Sequence, residues 1–157
     1  MTPARRAVAL LGAALLSGCG YVSRGPTPGD RLEGFQLLAP VRGTVSSPFG
    51  DRAGGRHTGV DILAPDGTRI LAAESGVVAY AGNGYRGYGN AVIVDHGGAV
   101  TTLYGHLGTI RVRSGDAVEA GDVIGTVGRS GNATTHHLHF ELRVDGNPVD
   151  PLPHMTR

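Results

Sequence analysis

Two short segments hold the side chains with the most chemistry in them: His57-Thr58-Gly59-Val60-Asp61 and His137-Leu138-His139-Phe140-Glu141. Together they offer imidazoles and carboxylates enough to close on one zinc ion. Three nitrogen or oxygen ligands with a fourth position open is the pattern of a hydrolytic zinc site, whereas structural sites are closed by four protein ligands. In an extended strand alternate side chains share a face, so His137, His139 and Glu141 point one way, and Leu138, Phe140, Leu142 and Val144 point to the core. A strand whose second face reads His-x-His-x-Glu is poorly explained by packing. On a straight strand His57 and Asp61 share a face but lie about 13 Å apart, at roughly 3.3 Å per residue. A bend at Gly59 is needed to bring them to one ion.

The elements that must position these groups read as β. Glycine is 27 of 157 residues, without a triplet period, and the glycines fall between short apolar runs. Strands are expected at Val41–Val45, Arg69–Ala73, Gly76–Ala81, Ala91–Asp95, Val100–His106, Ile110–Arg113, Val123–Val127 and Leu138–Val144, with a turn at His96-Gly97-Gly98. After residue 19 nothing sustains helical periodicity over three turns. The fold class is therefore all-β. The 14 basic residues are all arginine and are scattered through the chain, and the formal net charge is +1. No nucleic-acid footprint is visible. The phrases Gly76-Val77-Val78-Ala79 and Gly115 to Gly125 have the feel of lipoyl and biotinyl carriers, but a chain without lysine cannot hold their prosthetic groups.

The amino terminus has a separate character. Arg5 and Arg6 precede the apolar run Ala7–Leu16, too short to span a bilayer, which reads as an export signal. It ends in Leu16-Ser17-Gly18-Cys19, and Cys19 is the only cysteine. This resembles a bacterial lipobox, in which cleavage before the cysteine is followed by lipid attachment to its sulfur. The expected organisation is a signal peptide over 1–18, a lipid-anchored flexible tether over 19–38 with a few apolar residues such as Phe35, Leu37 and Leu38 against the domain edge, a domain over 39–152 and a tail over 153–157. Removal of 1–18 leaves 12 positive against 13 negative residues.

A longer series of phrases carries a family resemblance. Ser47-Pro48-Phe49-Gly50-Asp51-Arg52, His57 to Asp61 and Ala64-Pro65-Asp66-Gly67-Thr68 come first. Gly87-Tyr88-Gly89-Asn90, Asp95-His96-Gly97, Tyr104-Gly105-His106-Leu107, Gly121 to Gly125 and His137 to Glu141 follow. In this order, over residues 40–151, the chain resembles the M23 (lysostaphin/LytM-type) zinc peptidases. The resemblance implies a compact antiparallel β-sandwich of the M23 duplicated-hybrid type, zinc ligation by His57, Asp61 and His139, and catalytic roles for His106 and His137. His137 is expected as base and His106 as oxyanion stabiliser, with the two roles exchangeable. A metal held by two neutral imidazoles and one carboxylate keeps net positive charge and brings the pKa of a bound water to about 7.

Glu141 reads as a carboxylate that orients a histidine rather than as a base. Tyr104 divides evenly between a substrate-positioning role on the face of His106 and packing. His96 reads as structural, His154 as a tail residue without a role, and Thr135-His136 as a departure that bears on the cleft entrance. The function expected is an exported, lipid-anchored zinc endopeptidase facing the periplasm or cell wall and acting on peptidoglycan peptides, with the membrane contacted through Cys19. The alternative is a non-catalytic module of the same fold that activates cell-wall amidases. Such members typically lack some of the five key residues, and all five are present here.

Overall fold

The computed structural model describes Gly25 and residues 27–156; the signal segment and Cys19 lie outside the described residues. A four-residue helix, α1 (Pro28–Arg31), is followed by β1 (Leu37–Leu38), β2 (Thr44–Ser47), β3 (Gly50–Arg52), β4 (Gly55–His57), β5 (Val60–Leu63), β6 (Arg69–Leu71) and β7 (Gly76–Gly82). Then come β8 (Asn90–Asp95), β9 (Val100–Ile110), β10 (Ala117–Val118), β11 (Val123–Val127), β12 (His137–Val144), β13 (Asn147–Val149), a 3-10 turn (Leu152–His154) and β14 (Met155–Thr156). The main path runs β10-β7-β8-β9-β12-β5-β2, antiparallel throughout. The long β9 bonds β8 and β12 along most of its length and β11 towards its end, which joins the β6–β11 layer to the main one.

Alternation explains which face is core. Along β12, Leu138, Phe140, Leu142 and Val144 are fully buried. They pack with Val60 and Ile62 of β5 and with Tyr104 and Leu107 of β9, the Tyr104 and Phe140 rings lying 5.3 Å apart. The opposite face of β12 is left for His137, His139, Glu141 and Arg143. The β12–β13 connection is a two-residue hairpin of Asp145 and Gly146, with φ of 51° and 77°, the left-handed pair that matches strand twist.

Two features of β9 differ from expectation. The expected strands Val100–His106 and Ile110–Arg113 are one strand ending at Ile110, which runs through Gly108 with a register shift against β11 rather than a break. Within it, Asn90 pairs with Leu107 and Val92 with Tyr104, so Gly105 and His106 together oppose Ala91. This is a β-bulge, with His106 in the left-handed region at φ 64°. An unbulged strand would place His106 on the same face as Tyr104; the extra residue turns it away from the core.

The boundaries also differ. Thr27 caps α1 through a reciprocal capping box with Asp30. Leu32 and Leu37 are buried in the core, and Phe35 packs against it. Leu37-Leu38 pairs in parallel with Met155-Thr156, and the Leu38 amide donates to the Ala73 carbonyl at 2.8 Å. Residues 27–38 and 155–156, expected as tether and tail, thus belong to the folded unit. Two-residue strands have no alternation for a sequence reading to detect. Leu37→Ala is expected to lower unfolding free energy by about 2–5 kcal/mol, as for other fully buried leucines, measured by urea titration; a loss below about 0.5 kcal/mol would mean that this segment is not part of the core.

Candidate metal centre and cleft

The bend at Gly59 brings His57 and Asp61 together. β4 ends at His57 and β5 starts at Val60, and a Cβ at Gly59 would sit 2.3 Å from the Phe140 carbonyl oxygen. The turn therefore needs glycine for its close approach to β12. Asp61 and His139 are register partners across β5 and β12, which points both side chains out of the same face. Nε2 of His57 lies 3.2 Å from both Oδ1 of Asp61 and Nδ1 of His139, and the latter two are 2.8 Å apart.

Proton accounting identifies what this cluster fits. Nδ1 of His57 is 2.7 Å from the Pro48 carbonyl, which can only accept, so the ring donates there. Nε2 of His139 is 2.9 Å from Oε1 of Glu141. Glu141 is fully buried; burial would raise its pKa, but hydrogen bonds from His139, Arg143, Thr58 and Tyr88 outweigh that and hold it down at about 2. It too is an acceptor, so the His139 proton sits on Nε2. Both neutral rings then turn a bare nitrogen inward on a carboxylate oxygen. Three lone-pair atoms at this spacing repel unless a cation joins them. Tetrahedral zinc with bonds near 2.05 Å places its ligands about 3.3 Å apart, close to the observed triangle. The residues fit zinc, with outer acceptors fixing each ring.

Titration shifts set opposite charges against each other within the cluster. Burial favours the neutral acid at Asp61, yet His139, by hydrogen bond and charge, and then His57 and His137 pull its pKa below the usual value. For His139, burial lowers the pKa, and the Asp61 and Glu141 contacts more than reverse this. Tyr88 donates to Glu141 at 2.6 Å and packs on His139 with 5.4 Å between rings. Room for that ring comes from Gly105, opposite His139 in the ladder, where a Cβ would meet Tyr88 at 3.0 Å.

His106 and His137 stand beside the triad with rings 4.8 Å apart. Nδ1 of His106 donates to the Ser130 carbonyl at 2.9 Å, and Nδ1 of His137 to the Thr135 carbonyl at 3.0 Å. Each neutral ring therefore offers an unprotonated Nε2 to the cleft; that of His137 is 3.7 Å from Oδ1 of Asp61. Burial is the main cause lowering the His106 pKa. The cleft has a volume of about 400 Å³, with the three triad residues, His106, His137 and Tyr88 in its lining.

The remaining residues singled out in the sequence separate from the site. Tyr104 is buried with its hydroxyl 2.8 Å from the Ala73 amide, and burial pushes its pKa up to about 12; the bulge puts it on the core side. His96 bridges the Ser75 carbonyl and Thr102, each at 2.8 Å. His136 lies 3.8 Å from Asp66, outside the cleft lining. Missed from the sequence were Thr58, Tyr88, Arg143 and Ser130. Arg143 was within reach of the alternation rule, two positions after Glu141; Tyr88 stood in a quoted phrase but had no spacing signal.

The profile of Peptidase family M23 matches residues 55–151. This chain belongs to family M23. The DD-carboxypeptidase/endopeptidase Mpg of Neisseria meningitidis serogroup B is 42% identical over 125 residues, 76% of this chain and 29% of that protein. The murein hydrolase activator NlpD of Escherichia coli is 41% identical over 118 residues, 75% of this chain and 31% of that protein. Among solved M23-fold structures, the antimicrobial peptidase lysostaphin from Staphylococcus simulans superposes with a TM-score of 0.67 at 33% identity, covering 71% of this chain and 48% of that one. The chain thus spans under a third of the length of the two curated relatives named.

Two measurements follow from this geometry. Because the folded pKa of Glu141 is depressed, its stabilisation is complete above about pH 4.5 and is lost as pH falls towards 2; it amounts to about 3 kcal/mol at most. Urea titrations from pH 6 to pH 2 should therefore show wild type losing more stability than Glu141→Gln, and equal slopes would refute the buried carboxylate network. At the bulge, His106→Gly should be more stable than His106→Ala by about 1 kcal/mol, since a Cβ is costly at positive φ. The reverse order in thermal unfolding would mean that the left-handed conformation is not held.

Proposed function

We propose that this M23 protein is a zinc-dependent endopeptidase acting on the peptide cross-links of bacterial peptidoglycan, exported and anchored to a membrane through lipid on Cys19. The observation that carries the catalytic part is the union of a zinc-fitting triad with two further imidazoles, each aiming an unprotonated Nε2 into one cleft. Zinc bound by His57, Asp61 and His139 would supply Lewis acidity to a peptide carbonyl and lower the pKa of water to about 7.

The chain's own residues do the rest. His106, whose pKa burial depresses, stays neutral at physiological pH and is suited to accept a proton from the attacking water at Nε2. His137, whose Nε2 also faces the cleft, is suited to relay a proton to the leaving amine and, while holding it, to stabilise the developing oxyanion. This exchanges the roles expected from the sequence. The Ser130 and Thr135 carbonyls hold the rings in the required tautomer, and Tyr88 with Glu141 keeps His139 from rotating. The peptidase reading is supported by the names of Mpg, a DD-carboxypeptidase/endopeptidase, and of lysostaphin, an antimicrobial peptidase. The wall substrate is supported by that of NlpD, a murein hydrolase activator, and the anchor by the lipobox-like sequence together with the match to the uncharacterized lipoprotein YgeR of Escherichia coli.

A second reading rests on the similarity to NlpD, named as a murein hydrolase activator: a metal-holding but non-hydrolytic partner of wall amidases. The test uses the full-length protein and its His57→Ala and His106→Ala variants. Wild type should bind one zinc and release new amino termini from purified peptidoglycan. His57→Ala should lose zinc and activity; His106→Ala should keep zinc and lose activity by about 10²-fold or more. Activity should fall on the acid side as the lowered His106 pKa is crossed, because its protonated form cannot accept. A zinc-loaded wild type that frees no amino termini but stimulates an amidase would establish the second reading.

A further inference from the structure

The cleft has a charge pattern that the hydrolytic chemistry does not require. Its lining contains Arg52, Arg56 and Arg86 and a single acidic residue, Asp61, which belongs to the metal triad. This is not a reflection of a basic protein, because residues 27–156 carry 10 arginines against 13 acidic side chains. The positive charge is gathered where the negative charge is not. Among the described residues none of the three guanidiniums has a carboxylate within 4.0 Å. Asp51 stands opposite Arg56 in the β3–β4 register without closing such a pair.

Two of the three arginines are held in place. Nη1 of Arg52 donates to Ser47 Oγ at 3.0 Å, and the Arg56 guanidinium lies over the Phe49 ring, 5.3 Å from its centroid. Both leave donors free on an exposed side chain. Their placement brackets the metal triad. β12, which carries His137 and His139, lies between β5 and β9 in the sheet. Arg52 and Arg56 come from the hairpin that runs into β5, and Arg86 from the connection that runs into β8, on the β9 side.

Resting on the hydrolytic reading above, we propose that the cleft selects peptides carrying free carboxylates on both sides of the bond presented to the triad, with Arg52 and Arg56 receiving one and Arg86 the other. Guanidinium forks match carboxylates in geometry as well as charge, and the net positive cleft would raise the rate at which acidic peptides arrive. A neutral peptide, such as an oligoglycine bridge, leaves all three arginines unanswered and is a poor ligand.

The test is equilibrium binding, at low and at physiological salt, of the zinc-loaded full-length His106→Ala protein, in which the arginine variants are also made, to two probes, with cleavage of each followed separately in the protein with His106 intact. One is a purified cross-linked muropeptide dimer with its free carboxylates; the other is the same dimer after chemical amidation of those carboxylates. Amidation should weaken binding by about tenfold or more. Arg52→Gln and Arg86→Gln should each weaken binding of the acidic probe by about two- to fivefold, the scale of exposed charge pairs, with little effect on the amidated one. Arg111→Gln, outside the cleft lining, should change neither. The arginine variants separate this preference from any affinity of carboxylates for zinc itself. Equal binding of both probes, no binding of either, or no response to either arginine variant would overturn the proposal. Carboxylate-selective binding without bond cleavage would keep it and remove the endopeptidase reading; cleavage of both probes at equal rates would do the opposite.

Discussion

The structure depends on where two protons sit. His57 gives its Nδ1 proton to a backbone carbonyl and His139 gives its Nε2 proton to a buried carboxylate, so the two rings face each other with opposite nitrogens, both bare. An imidazole free to spin or change tautomer would present a proton to its neighbour and settle as an ordinary hydrogen bond. Fixing both from outside removes that escape and leaves a cation as the partner that satisfies all three ligand atoms at once. The surrounding fold can be read as what it takes to maintain this arrangement. Gly59 lets the chain turn against β12, Gly105 leaves space for Tyr88, and Glu141 is ionised in the interior because four donors surround it.

A second constraint acts at His106. A strand of strict alternation would spend this residue on the core, behind Tyr104. The bulge inserts one residue, bends the strand and delivers the imidazole to the cleft, while the left-handed backbone it requires is unfavourable for any residue with a Cβ. Strain of this kind persists only where the neighbours over-determine it. Here they do: the His106 amide donates to the Tyr88 carbonyl at 2.8 Å and the ring to Ser130, and the cross-strand bonds of β9 resume on both sides.

What the sequence revealed follows the same division. The inward and outward faces of β12 were legible from alternation, and the need for a bend at Gly59 followed from the reach of an extended chain. The family phrases pointed to the five imidazole and carboxylate positions that the structure gathers around one cleft. What could not be read was whatever depends on non-local contact. The bulge leaves no trace in a string that still reads as alternating, so Tyr104 and His106 appeared to share a face. Leu37 gave no strand signal, because its partner, Met155, is at the far end of the chain. The cleft arginines looked scattered because Arg52, Arg56 and Arg86 meet only through the sheet order.

The most direct measurement is the nitrogen-15 spectrum of the histidine rings in the zinc-loaded protein, read through long-range correlations to the ring protons. The account predicts that His57 is protonated at Nδ1 and bound to metal through Nε2, and His139 is protonated at Nε2 and bound through Nδ1, with both patterns appearing at one equivalent of zinc. Two rings in the same tautomer, or ring signals that do not respond to zinc, would contradict it.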